Sequence, residues 1–125
     1  MTKPIGRYAW AIAEGYIPPD VPGKSRELTS YEAVCILNAS EADARVEITV
    51  YFKDRAPGGP YVFEVGAQRT RHLRFNDFKD PEPIPVNTEF SSVIVSSAPV
   101  VVQHTRLDSR QADLALLSTM AFPVD

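Results

Sequence analysis

The side chains that could do chemistry fall in three short runs. The first is Trp10-Ala11-Ile12-Ala13-Glu14-Gly15-Tyr16, which holds the chain's only tryptophan. On a strand, Tyr8, Trp10, Ile12 and Glu14 share one face, so an indole and a carboxylate stand in one row. An indole can stack on an apolar or sugar ring, and a carboxylate can accept hydrogen bonds from hydroxyls. Equally, Trp10 can fill the core, with Glu14 at a solvated strand end. The second run is Arg69-Thr70-Arg71-His72-Leu73-Arg74-Phe75-Asn76-Asp77. Alternation puts Thr70, His72, Arg74 and Asn76 on one face, a donor-rich row suited to an anion or a polyhydroxylated ligand. The other face mixes Arg69 and Arg71 with Leu73 and Phe75, so neither face reads cleanly as core. The third run is Val102-Gln103-His104-Thr105-Arg106-Leu107-Asp108-Ser109-Arg110-Gln111. Here His104 and Arg106 share a face, and Asp108 could orient either by a charge-assisted hydrogen bond. Strand ends that open into polar loops commonly carry binding sites, but ion-pair and capping networks look the same in sequence. The candidate ligand-binding set is Trp10, Glu14, His72, Arg74, Asn76, His104, Arg106 and Asp108.

These residues match no catalytic or metal-ligating pattern. The chain has 2 histidines and 1 cysteine, and neither His-x-x-x-His nor Cys-x-x-Cys spacing occurs. Ser109 has no nucleophile-elbow context, and there is no glycine-rich phosphate loop. No cofactor is expected. A His–carboxylate acid–base pair acting on a sugar or related metabolite stands as the enzymatic alternative. It requires the two groups about 3 Å apart in a pocket. Cys35, in Ala-Val-Cys-Ile-Leu, reads as a buried, inert thiol, because a reactive one needs an accessible, electropositive setting.

The elements that position these runs read as strands. Arg45–Phe52 alternates strictly, with Val46, Ile48, Val50 and Phe52 on one face. Ala33–Leu37 is short and apolar, as a strand covered on both faces would be. Tyr8–Ala13, Tyr61–Val65, Arg69–Phe75, Phe90–Ser96, Val100–Thr105 and Leu117–Phe122 complete the set. Ser97-Ala98-Pro99 is expected to be a hairpin connection and Pro57-Gly58-Gly59-Pro60 a turn. Pro18-Pro19 and Pro22-Gly23 bracket a loop, and Pro81, Pro83 and Pro85 suggest a stiff extended connection. Ser109–Ala115 has room for one or two helical turns. About eight short strands with frequent turns predict an all-β, single-domain antiparallel β-sandwich of jelly-roll-like form spanning 1–125. At most one short helical turn is expected, near the C-terminus.

Composition bounds the rest. A 125-residue chain with 44% hydrophobic residues can bury a core without a disulfide. A net charge of −3 argues against general nucleic-acid affinity, which needs clustered Lys and Arg. No apolar run reaches the ~20 residues of a spanning helix, so membrane insertion is not expected. Met1–Arg7 lacks the apolar core of a signal peptide, so the expected compartment is the cytoplasm.

The same runs carry a family resemblance. Trp10–Pro18 (WAIAEGYIP), Val34–Ala39 (VCILNA), Val46–Tyr51 (VEITVY), Arg74–Asp77 (RFND), Pro83–Pro85 (PIP) and Val101–Gln111 (VVQHTRLDSRQ) resemble the sensory rhodopsin transducer family, in register from about Ile5 to Ala121. The resemblance implies a compact β-sandwich, a homotetramer and a cytoplasmic location. It also implies a signal-relay role, either docking to the cytoplasmic side of a membrane photoreceptor (a sensory rhodopsin) or binding a small molecule such as a sugar. It assigns no catalytic residue. The charged loop Asp20–Leu28 and the tail after Ala121 depart from the pattern, so partner specificity carried there need not follow the family.

Overall fold

A computed structural model describes residues 3–19, 24–111 and 113–124. Asp20, the Pro22-Gly23 half of the expected loop, and Ala112 of the expected helical stretch lie outside the described residues. Eight strands follow in chain order: β1 (Arg7–Ile12), β2 (Tyr31–Asn38), β3 (Ala44–Phe52), β4 (Gly58–Val65), β5 (Arg69–Arg74), β6 (Phe90–Asp108), β7 (Ala115–Met120) and β8 (Phe122–Val124). The helical content of the described residues is two 3-10 turns, Arg26–Leu28 and Phe75–Asp77. The described residues of the Ser109–Ala115 stretch form bends leading into β7 instead of a helix.

The strands make an antiparallel β-sandwich whose two sheets share β6. One sheet has the order β4-β3-β6-β1-β8, and the other places β5, β2, β6 and β7 side by side. The first part of β6 pairs with β3 through Phe90–Ser96. The last part pairs with β2 through Val101–Leu107 and with β7 through Gln103–Asp108. The expected hairpin at Ser97-Ala98-Pro99 is therefore absent, and one strand of 19 residues runs through it. Pro99 fits because it sits at the crossing between sheets. There the register against β1 jumps from Ala9↔Val95 to Arg7↔Val100, so an amide donor is dispensable.

Three residues of the Pro-Gly-Gly-Pro run, Gly58-Gly59-Pro60, also lie inside a strand. The turn falls earlier, at Lys53–Arg55, and β4 begins at Gly58 opposite a register shift between Ile48 and Val50. Gly59 has φ 114°, and a Cβ there would lie 2.8 Å from the Ile48 carbonyl oxygen, so only glycine makes this bulge without strain.

Alternation decides which residues meet between the sheets. Val46, Ile48 and Val50 of β3 are fully buried, as are Val34 and Ile36 of β2, Val102 of β6's second part and Ile94 of its first. Phe78 closes one end of the core, with ring centroids 4.9 Å from those of Tyr61, Phe63 and Phe75. The expectation that Ala33–Leu37 is covered on both faces holds only in part. Leu37 is exposed and Cys35 half-buried, because the outer face of this sheet has nothing of the described chain over its middle.

Candidate functional site

The antiparallel register of β2 and β6 sets Glu32 directly opposite Arg106 and Val34 opposite His104. Residues two apart on a strand share a face, so Glu32, His104 and Arg106 converge on the core side of the sheet, near its end. The Glu32 carboxylate is fully buried and accepts from four donors. They are His104 Nε2 at 2.5 Å, Arg106 Nε at 3.0 Å, Arg106 Nη2 at 2.7 Å and the Tyr16 backbone N–H at 2.6 Å. A carboxylate can only accept, so the imidazole donates through Nε2. Both Arg106 donors and the Tyr16 N–H reach one oxygen, Oε2, while His104 takes Oε1, and these four bonds together offset burial of the carboxylate.

Neighbouring groups extend this cluster to the surface and to the adjoining loops. Arg106 Nη2 lies 3.7 Å from the exposed carboxylate of Glu14. The Asn76 side chain accepts from the Glu32 backbone N–H at 3.2 Å and donates to the Ser30 carbonyl at 3.0 Å. Ser30 Oγ in turn accepts from the Ser109 N–H at 2.9 Å. The segment holding Tyr16 crosses close over Phe90, since Phe90 N–H donates to the Gly15 carbonyl. A Cβ at Gly15 would come within 2.6 Å of the Phe90 ring, so glycine is needed for the chain to reach Glu32 there.

A second cluster lies on the opposite, outer face of the same sheet. There His72 stands across from Cys35, and Arg74 across from Ala33. With Tyr31, Thr105, Arg26 and Asp77 they line an open cleft of about 390 Å³. The Arg74 guanidinium lies over the Tyr31 ring, 4.2 Å from its centroid. Its Nη1 donates to the Arg26 carbonyl at 3.0 Å. At the rim, Arg26 pairs with Asp77 at 2.7 Å. Hydrogen bonding from Arg26 holds the Asp77 carboxyl below the usual carboxylate range.

The eight candidate residues thus separate into different settings. His104 and Arg106 meet, with Glu14 at their outer edge. His72 and Arg74 meet on the other side of the sheet. Asn76 supports the start of β2 through main-chain contacts. Trp10 is buried, and its Nε1 donates to the Val100 carbonyl at 2.9 Å, so the indole offers no face to a ligand. The core reading of this residue is the one the packing matches. Asp108 orients neither His104 nor Arg106. It is bound by Arg110 Nη2 at 2.7 Å, and this contact is the main reason its carboxyl lies below the usual range. The Asp108 side chain at the end of β6 is partly exposed, and the cation two positions on takes it.

Glu32 fills the role expected of Asp108, and it is the residue that motif reading missed. Its signal was present: at period two, Glu32 falls on the same face as Val34 and Ile36, where an acid is out of place unless paired. Cys35 also differs from expectation. It is half-buried on the cleft side, because odd-numbered residues of β2 face outward. Among the described residues no group of three or more His, Cys, Asp or Glu could hold a metal ion.

A family model described as Anabaena sensory rhodopsin transducer matches residues 5–123. The chain belongs to this family. Its fold is similar to that of the Anabaena sensory rhodopsin transducer, at 57% identity and TM-score 0.72, over 83% of this chain and 100% of that one. It is also similar to a crystal structure of Thermotoga maritima 1070, at 32% identity and TM-score 0.81, over 95% of this chain and 96% of that one. No curated protein matches. The buried Glu32–His104–Arg106 group and the outer cleft are therefore features of a transducer-family sandwich. Among its described residues no helix is long and apolar enough to cross a membrane.

Proposed function

We propose that this transducer-family protein is a cytoplasmic signal-relay module that docks, as a homotetramer, to the cytoplasmic side of a membrane photoreceptor. The observation that carries this reading is the family match across residues 5–123, together with 57% identity to a solved chain of the Anabaena sensory rhodopsin transducer, all of which is covered. Assembly is supported by the C-terminal strands. Leu116 and Leu117 are neighbours on β7 and so face opposite ways, yet they are 66% and 50% exposed. An edge strand that is apolar on both faces is a surface that another chain covers. The test is titration of the protein against a sensory rhodopsin in lipid nanodiscs, in darkness and in light. Saturable binding with a Kd that changes on illumination is expected. No binding up to about 100 μM in either state would overturn the photoreceptor reading.

The outer cleft favours a second reading, a sensor of a small metabolite such as a sugar, since its polar side chains are open to solvent. Thermal shift against a panel of sugars and sugar acids tests it, because a ligand of the native state raises Tm. The acid–base alternative has less support. His104 and Glu32 stand at hydrogen-bond distance, but their side chains are only 4% and 0% exposed. A substrate has no route to either, and we read the pair as structural.

A further inference from the structure

We propose that the outer cleft binds a small organic carboxylate through the Arg74 guanidinium. This inference rests on the metabolite-sensing reading and specifies its site and ligand class. Three observations carry it. First, Arg74 is held as a preformed fork. Its Cζ sits 4.2 Å from the Tyr31 ring centroid and its Nη1 is anchored on the Arg26 carbonyl. The edge formed by Nε and Nη2 makes no side-chain or main-chain hydrogen bond among the described residues, and these two parallel N–H groups match a carboxylate. Second, the charged side chains lining the cleft carry one net positive charge. Asp77 is hydrogen-bonded to Arg26 at 2.7 Å and also feels the charges of Arg74 and Lys79, so Arg74 keeps its free edge for a singly charged anion in preference to a doubly charged phosphate. Third, apart from Thr105, which bonds Ser118 at 3.1 Å, the remaining neutral polar side chains of the cleft are open to a polar ligand body. The Tyr31 hydroxyl, the His72 ring and the Cys35 thiol make no side-chain hydrogen bond among the described residues. The cleft's 390 Å³ lies within the usual range of small-molecule sites.

Cys35 makes the site readable, because it is the chain's only cysteine and lines the cleft. The experiment is the rate of Cys35 alkylation by iodoacetamide, followed by intact mass, with D-glucuronate, D-gluconate, pyruvate, D-glucose or inorganic phosphate present. At least one of the three carboxylates is expected to slow alkylation saturably. At about ten times its Kd the rate falls about tenfold, as simple occupancy requires. Glucose and phosphate should leave the rate unchanged. Arg74→Gln should abolish protection measured against that variant's own unprotected rate, and His72→Gln should weaken it. No protection by any carboxylate up to about 10 mM, protection retained in Arg74→Gln, protection by phosphate equal to that by carboxylates, or alkylation only after denaturation would each overturn the proposal. A neutral sugar that raises Tm without protecting Cys35 would also overturn it, while the metabolite-sensing reading would stand with its site elsewhere.

Discussion

Glu32 shows how one residue can be both costly and necessary. A buried carboxylate is unfavourable unless it is paired and fully hydrogen-bonded, and Glu32 meets both conditions with His104, Arg106 and the Tyr16 N–H. Removing it leaves a nearly buried guanidinium and a buried imidazole without their acceptor. Glu32→Ala is therefore expected to lower the unfolding free energy by about 3–5 kcal/mol in urea denaturation, the range for breaking a buried pair. Glu14→Ala is the control. Its carboxylate is exposed and 3.7 Å from Arg106, and surface contacts of this kind contribute about 0–1 kcal/mol. Similar losses in the two variants would show that the buried cluster is not what holds this end of the sandwich. Asp108 illustrates the opposite case. A run with the right residue types placed it beside His104 and Arg106, but a local partner, Arg110, was closer.

At the level of elements, β6 organises the molecule. It contributes Ile94 to the core from one sheet and Val102 from the other, and its last turn of alternation presents His104 and Arg106 to Glu32. The segment after β1 is the second organising element. It passes over Phe90, where Gly15 accepts from the Phe90 N–H at 2.9 Å, and delivers the Tyr16 amide to Glu32. Gly15→Ala would force a methyl to within 2.6 Å of the Phe90 ring. Overpacking of this kind costs about 1–3 kcal/mol. The expected outcome is a lower denaturation midpoint together with faster hydrogen exchange at the Tyr16 amide. An unchanged exchange rate would mean that the strain is relieved by Phe90 alone. The period-two pattern of Arg45–Phe52 was legible because one face is core and the other solvent. The continuity of β6 was not legible. A proline after two small residues reads as a turn wherever local preference decides, and here it is tolerated because the strand changes sheets at that point.

For the whole molecule, the deciding feature is the apolar surface that the described chain leaves open. Leu116, Leu117 and Met120 on β7 and Phe122 on β8 are each at least half exposed, and β7 pairs only with β6 among the described residues. If these strands form the subunit contacts of the proposed homotetramer, Leu117→Glu with Phe122→Glu should shift sedimentation velocity from the assembled species to a smaller one. Far-UV circular dichroism should be unchanged, because none of these side chains supports the core. A double variant that sediments like the parent protein would place the contacts elsewhere.

Alternation determined the fold class and the core face of regular strands such as Arg45–Phe52, since these depend on local geometry and on where water is excluded, whereas the turn residues at Pro57–Pro60 and Ser97–Pro99 misplaced the breaks between strands. The runs Trp10–Pro18, Val34–Ala39 and Val101–Gln111 determined the family, because long unusual motifs in register carry that information without coordinates. Only the tertiary structure decided which polar residues meet. Glu32 and Arg106 are 74 positions apart, and their pairing depends on the β2–β6 register. The separation of His72 and Arg74 from His104 and Arg106 depends on which side of one sheet each strand turns outward. Those are choices made between strands, where a shift of one residue reverses every side chain, and no single segment contains them.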